Sequence, residues 1–131
     1  MAYLIDTNII IYSMKGHKKV QENFLKNEKI PKYISIITYG ELLYGAKKSI
    51  HTEQNTAKVY RIRDLFPIVT IDLPIIEVFA ELKSKYDKKG IVLDDFDLLI
   101  ASTALTYNQI LVTNNARHFS KIKELKTENW V

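Results

Sequence analysis

The chain has no cysteine among its 131 residues. Disulfides, thiolate metal sites and catalysis by a thiol are excluded with it. No apolar run approaches the roughly 20 residues that cross a bilayer, so no membrane partner is expected. The N-terminus carries no basic leader, and its first apolar stretch is cut by Asp6. A secretory signal is therefore not expected, and a cytoplasmic protein is. Internal repeats, low-complexity tracts and linker-like stretches are also lacking. Residues 1–131 are expected to form a single domain, long enough to bury a proper core. What remains is ordinary globular composition, 47% hydrophobic and 26% charged. The net charge of +4 suits an anionic partner such as nucleic acid without specifying one.

Apolar runs and their punctuation give the elements. Tyr3-Leu4-Ile5 reads as a short strand buried on both faces, as in a parallel sheet. Asn8–Met14 and His17–Glu28 read as helices, broken by Gly16 and stopped by Pro31, with Val20 and Phe24 on one face of the second. Tyr33–Ile37 is a second strand, and Thr38 opens the next helix. Thr52–Phe66 is helical, Ile68–Ile71 a third strand, and Asp72 caps a long amphipathic helix with Ile75, Val78, Phe79, Leu82 and Tyr86 on one stripe. A helix follows through Leu105, then a strand Ile110–Thr113 and a last short strand near Leu125–Thr127. Alternating strands and helices predict an α/β fold: three layers, α/β/α, around a parallel sheet of about five strands in the order 3-2-1-4-5.

Four polar positions stand out against this frame. Asp6 ends the first strand, where ligands of open α/β sheets bind; the plainer reading makes it a helix cap. Glu41 lies three residues after Thr38, which is the spacing of a capping box, or else projects from a first helical turn into the same crevice. Gly40 and Gly45, awkward in a helix, suggest close packing against a neighbouring backbone. Asp97 heads a helical stripe with Ile100, Ala101, Ala104 and Leu105. A carboxylate there needs donors, a base or a metal. Asp94 and Asp95 are read as caps of that helix. Asn115 follows the fourth strand, and the strand order places it beside Asp6.

Together, Leu4-Ile5-Asp6-Thr7-Asn8, Thr38-Tyr39-Gly40-Glu41-Leu42, Asp97-Leu98-Leu99-Ile100-Ala101-Ser102 and Leu111-Val112-Thr113-Asn114-Asn115-Ala116-Arg117-His118-Phe119 resemble the PIN-domain nucleases. Within them the resemblance is to the VapC-type toxins of bacterial toxin–antitoxin pairs. It covers essentially the whole chain. It implies a metal-dependent endoribonuclease with Asp6, Glu41 and Asp97 as ligands of Mg²⁺ or Mn²⁺, which carboxylate oxygens suit. Asn115 would hold a water or the scissile phosphate; the family places Asp or Asn there. Thr7, Asn8 and Thr113 are expected to orient the carboxylates. His118 has a general-acid reading beside a structural one. The resemblance also implies an antitoxin partner and a homodimer, with Ile9, Tyr12 and Phe24 as candidate contacts along a groove.

Lys15, Lys18, Lys19, Lys47, Lys48, Arg61 and Arg63 can hold an RNA backbone or simply be solvated. Tyr12, Tyr39 and Tyr44 can stack on unpaired bases or pack in the core. Two rivals explain less. A haloacid-dehalogenase-like phosphatase also opens with a strand ending in Asp, but its general acid would fall at Asn8, and there is no room for a cap domain. A non-catalytic RNA-binding module explains the charge but not an acid heading a buried stripe.

Overall fold

Alternation along the first strand divides the core in two. The computed structural model describes residues 1–131. In β1 (Ala2–Ile5), Tyr3 and Ile5 face one layer and Leu4 the other. Helices α1 (Thr7–Met14), α2 (Lys18–Lys26), α3 (Ile36–Lys47) and α4 (Thr52–Leu65) follow in chain order, with β2 (Lys32–Ser35) between α2 and α3. Then come β3 (Ile68–Val69), α5 (Leu73–Lys88), α6 (Asp95–Thr106), β4 (Gln109–Val112), α7 (Ala116–Phe119) and β5 (Thr127–Glu128). The first four helices cover the Tyr3/Ile5 face through Ile9, Ile10, Val20, Leu42 and Val59. The last three cover the Leu4 face through Leu82, Tyr86, Leu98, Ala101 and Phe119.

The sheet has the expected order, β3-β2-β1-β4-β5, and every pairing is parallel. β1 and β4 are neighbours at the point where the strand order reverses, with Ile5 opposite Val112. That register fixes which residues leave the sheet side by side. The residue after Ile5 is Asp6, and the residue after Val112 is Thr113.

Several boundaries differ from the sequence reading; β3 ends at Val69 rather than Ile71, and β4 runs Gln109–Val112 rather than Ile110–Thr113. The second strand ends at Ser35 rather than Ile37, because the Ser35 hydroxyl accepts from the Thr38 amide at 3.0 Å and starts the helix there. Ile37 packs against the core of the Leu4 face from the helix, not from a strand. His17 caps α2 instead of belonging to it, its Nδ1 accepting from Val20 N at 3.3 Å. The last strand is Thr127–Glu128, one step beyond the expected stretch. It is held by the C-terminal aromatic anchor: Trp130 is 2% exposed, lies edge-on to Tyr3 and Phe24, and donates to Glu128 at 3.1 Å. Asp72 does cap α5, accepting from Ile75 N at 3.1 Å.

On the other face, Glu124 ties the segment after α7 to α5. It accepts from the Tyr86 hydroxyl at 2.6 Å and from Lys85 at 2.9 Å. The Tyr86 hydrogen bond, more than Lys85, pulls this carboxyl down to about 2. No helix is long and apolar enough to cross a membrane.

Candidate active site

Asp6 is 5% exposed, at the carboxyl end of the central strand. Its amide donates to Val112 O at 2.9 Å, which continues the ladder one residue past the strand. One carboxylate oxygen accepts from the Thr7 amide at 2.8 Å and caps α1. The other accepts from the Thr113 hydroxyl at 2.7 Å. Capping and a place in the cleft are thus properties of one side chain, not alternatives.

Glu41 is not part of a capping box. Thr38 lies inside the first turn of α3 and is buried; the cap is Ser35. Glu41 stands a turn further on, reaches the open cleft, and accepts from the Thr7 hydroxyl at 2.8 Å. Thr7 therefore holds two carboxylates, one through its amide and one through its side chain. The cap of α6 is Asp94, which accepts from Phe96 N at 3.1 Å and Asp97 N at 3.2 Å. Asp95, expected to share that role, instead pairs with Lys83 at 2.6 Å on the surface. Asp97 heads the stripe of Ile100, Ala101 and Ala104, all buried, with its side chain 27% exposed.

Asn115 is not directly beside Asp6. The β1–β4 register puts Thr113 there, and the Asn115 amide donates to the Thr113 hydroxyl oxygen at 2.9 Å. The Asn115 side-chain nitrogen lies 3.1 Å from His118 Nδ1, which is 3.4 Å from an Asp97 oxygen. A continuous path of contacts therefore runs Glu41–Thr7–Asp6–Thr113–Asn115–His118–Asp97 and touches all four motifs. Asn8 is exposed and bonds to none of them. Arg117 is also exposed.

Each of the three acids has its pKa raised, and burial is the first cause in each. The Thr113 and Thr7 hydrogen bonds oppose the rise at Asp6, as Thr7 does at Glu41 and the His118 ring at Asp97. Like charge adds to it: Asp97 acts on Asp6, Asp6 and Asp94 on Glu41, Asp94 and Glu41 on Asp97. No Lys or Arg pairs with any of them; the lysine–carboxylate pairs of the chain are Lys83–Asp95 and Lys85–Glu124. No three acid or histidine side chains close around one point. Asp6 and Glu41 turn oxygens onto Thr7 and Thr113 instead. Such a set fits Mg²⁺ or Mn²⁺ better than an ion needing a full protein cage. Mg²⁺ keeps several waters and takes one or two carboxylates plus substrate phosphate.

The PIN domain family profile matches residues 3–125. The chain is 37% identical over 134 residues to Ribonuclease VapC2 of Rickettsia felis, covering 99% of this chain and 98% of that protein. It is 31% identical over 131 residues to the tRNA(fMet)-specific endonuclease VapC of Shigella flexneri, covering 99% and 98%. This chain belongs to the VapC family of PIN-domain proteins. Among solved structures it superposes on VapBC2 from Rickettsia felis bound to a DNA fragment from their promoter, with TM-score 0.93 and 34% identity over 100% of both chains. It matches DNA-bound VapBC from Salmonella typhimurium with TM-score 0.93 and 30% identity, over 100% of this chain and 99% of that one.

In this PIN domain, two open cavities flank Glu41. One, of about 360 Å³, lies among α1, α3 and α4 and is lined by Ile11, Met14, Leu42, Ala46 and Val59, with Gly45 in its wall. The other, of about 450 Å³, lies between α3 and α6, with Gly40 in its wall. A Cβ added at either glycine would meet nothing within 4 Å, so neither residue marks close backbone packing. Both leave space instead. Of the expected groove contacts, Ile9 is fully buried in the core, while Tyr12 and Phe24 are partly buried against the same cluster. Tyr39 packs there too, leaving Tyr44 as the exposed tyrosine of the three. Phe96, 54% exposed beside Asp97, escaped the sequence reading. An aromatic on the polar side of an amphipathic helix was the available signal.

A carboxyl with a raised folded pKa binds its proton more readily folded than unfolded. Its stabilising contribution is present at low pH and is lost as pH rises through the raised value. For Asp97 the window opens at the ordinary 3.8 and closes above it. In chelator, Asp97→Asn is expected to be more stable than wild type at neutral pH by on the order of 1 kcal/mol. The difference should shrink toward pH 4. Urea denaturation across that range measures it, and a pH-independent difference would contradict the electrostatic account.

Proposed function

We propose that this chain is an endoribonuclease, the toxin of a toxin–antitoxin pair, working with Mg²⁺ or Mn²⁺ as a homodimer. The observation that carries the reading is the uncompensated acid set at the carboxyl edge of the sheet, in a chain of the VapC family. Asp6, Glu41 and Asp97 would hold the ion, directly or through water. When bound, such an ion makes a water a better nucleophile and neutralises charge on the phosphate in flight. Thr7 and Thr113 fix the rotamers of the carboxylates, the role that outer-shell partners play at metal sites. The Asn115 side-chain amide would hold a water or a phosphate oxygen. Substrate RNA would be drawn in by surface lysines such as Lys15, which lines the first cavity, and Lys48.

The antitoxin would seat an apolar segment among α1, α3 and α4, on Ile11, Met14, Leu42 and Val59. A basic residue of that partner would reach Glu41, which lines the cavity. Arg suits the task because its planar fork binds a carboxylate bidentately.

Purified chain free of partner should cut structured RNA in Mg²⁺ or Mn²⁺ and stop in chelator. Changing even a residue that orients a metal ligand costs about 10–100-fold. Asp97→Asn should therefore lose about 100-fold or more, with its fold intact by circular dichroism. Full activity in that variant would sink the assignment.

Asn115→Asp adds a carboxylate and should tighten Mn²⁺ binding in titration calorimetry. Unchanged or weaker affinity would mean that Asn115 does not face the ion.

Expressed alone, the chain should slow bacterial growth, and co-expression of its antitoxin should restore it. Asp6→Asn should abolish the toxicity yet still co-purify with the partner, because the apolar contacts are untouched. Harmlessness of soluble wild-type chain would end the toxin reading.

A further inference from the structure

The cavity between α3 and α6 differs in kind from the one assigned to the antitoxin. Its lining is Ile36, Ile37, Gly40, Glu41, Tyr44 and Phe96. Two of these are aromatic rings left open to solvent, Tyr44 at 66% and Phe96 at 54% exposure. Both are tied to the acids by the chain itself. Phe96 immediately precedes Asp97, and Tyr44 follows Glu41 by three residues, nearly one helical turn. Glu41 lines this cavity as well as the first. Lys48 Nζ sits 4.8 Å from the centre of the Tyr44 ring.

We propose that this cavity is a subsite for one unpaired nucleobase of the substrate, adjoining the phosphate to be cut. The proposal rests on the ribonuclease reading above and adds to it where the RNA lies. A nucleobase has apolar faces that stack on aromatic rings, and proteins that recognise single-stranded RNA use such rings for it. The volume of about 450 Å³ falls within the range of about 300–1,000 Å³ usual for small-ligand clefts. Gly40 has no side chain to obstruct entry, and an added Cβ would find open space. A base seated there would have its own phosphate next to Glu41, and the Lys48 ammonium, which rests over the Tyr44 ring, would be available to a neighbouring phosphate. Ile36, Ile37 and Phe96 line the cavity with apolar side chains, and Gly40 adds none. Stacking on the two rings would be the main contact, and purines, with larger faces, should be preferred over pyrimidines.

The test uses the intact chain and a six-nucleotide single-stranded RNA with a central 2-aminopurine, in chelator at low ionic strength, so that binding is read without cleavage. Wild type should quench the 2-aminopurine fluorescence. Phe96→Ala and Tyr44→Ala should each weaken binding about 10-fold, and Phe96→Tyr should retain it. In Mn²⁺, Phe96→Ala should raise KM for RNA cleavage while Mn²⁺ affinity stays unchanged. Absence of quenching by wild type, or equal quenching by the alanine variants, would overturn the subsite. So would light scattering that shows Phe96→Ala or Tyr44→Ala turning a dimer into a monomer, since a second copy would then cover this face. Quenching by a chain that cuts no RNA would support the subsite and overturn the ribonuclease reading, which separates the two failures.

Discussion

A carboxylate buried at the end of the central strand, with no Lys or Arg paired to it, is the constraint on which the rest depends. Burying an unpaired charge costs several kcal/mol unless hydrogen bonds offset it. Asp6 receives two, from Thr7 and Thr113. Thr113 can supply one only if β4 lies next to β1 in the observed register. Thr7 can supply the other only if α1 begins at once. Strand order, register and the first helix are therefore all written into the surroundings of one side chain. The same two threonines reach outward, Thr7 to Glu41 and Thr113 to Asn115, so the groups that settle the buried charge also set the cleft.

The fold assembles like charges with no Lys or Arg paired to them. Glu124 shows the opposite treatment on the far face: Tyr86 and Lys85 satisfy it, and its pKa falls to about 2. Asp6, Glu41 and Asp97 are raised instead. One carboxylate serves stability; three are held at its expense. Acids raised together by burial and by one another are a pattern that collects at functional sites.

Architecture was legible in the sequence because parallel strands buried on both faces read as short apolar runs between amphipathic helices. Asp97 was legible because a charge at the head of a buried stripe violates periodicity. Glu41 was harder. Ile36 and Ile37 extend an apolar run, so periodicity alone gave them to the strand and moved the cap from Ser35 to Thr38. One hydrogen bond, Ser35 to Thr38, decides against it. Asn115 was placed one contact too close to Asp6, because strand order specifies neighbours but not register. Asp94 and Asp95 are equivalent as residue types, and only the packing of α5, which brings Lys83 to Asp95, tells them apart. The glycines of α3 were read as packing against backbone, since a sequence records a missing side chain but not whether anything fills the gap.

Those two glycines have a kinetic consequence. Gly40 opens one side of α3 and Gly45 the other, with Glu41 as the shared wall. Glu41 is the one residue that lines both cavities, so ligands arriving from the two sides meet there. A protein inhibitor seated on the α1 side would then depress turnover more than capture, giving mixed rather than purely competitive inhibition. The silenced complex would keep a residual grip on RNA, and release of the inhibitor would find substrate already at the cleft.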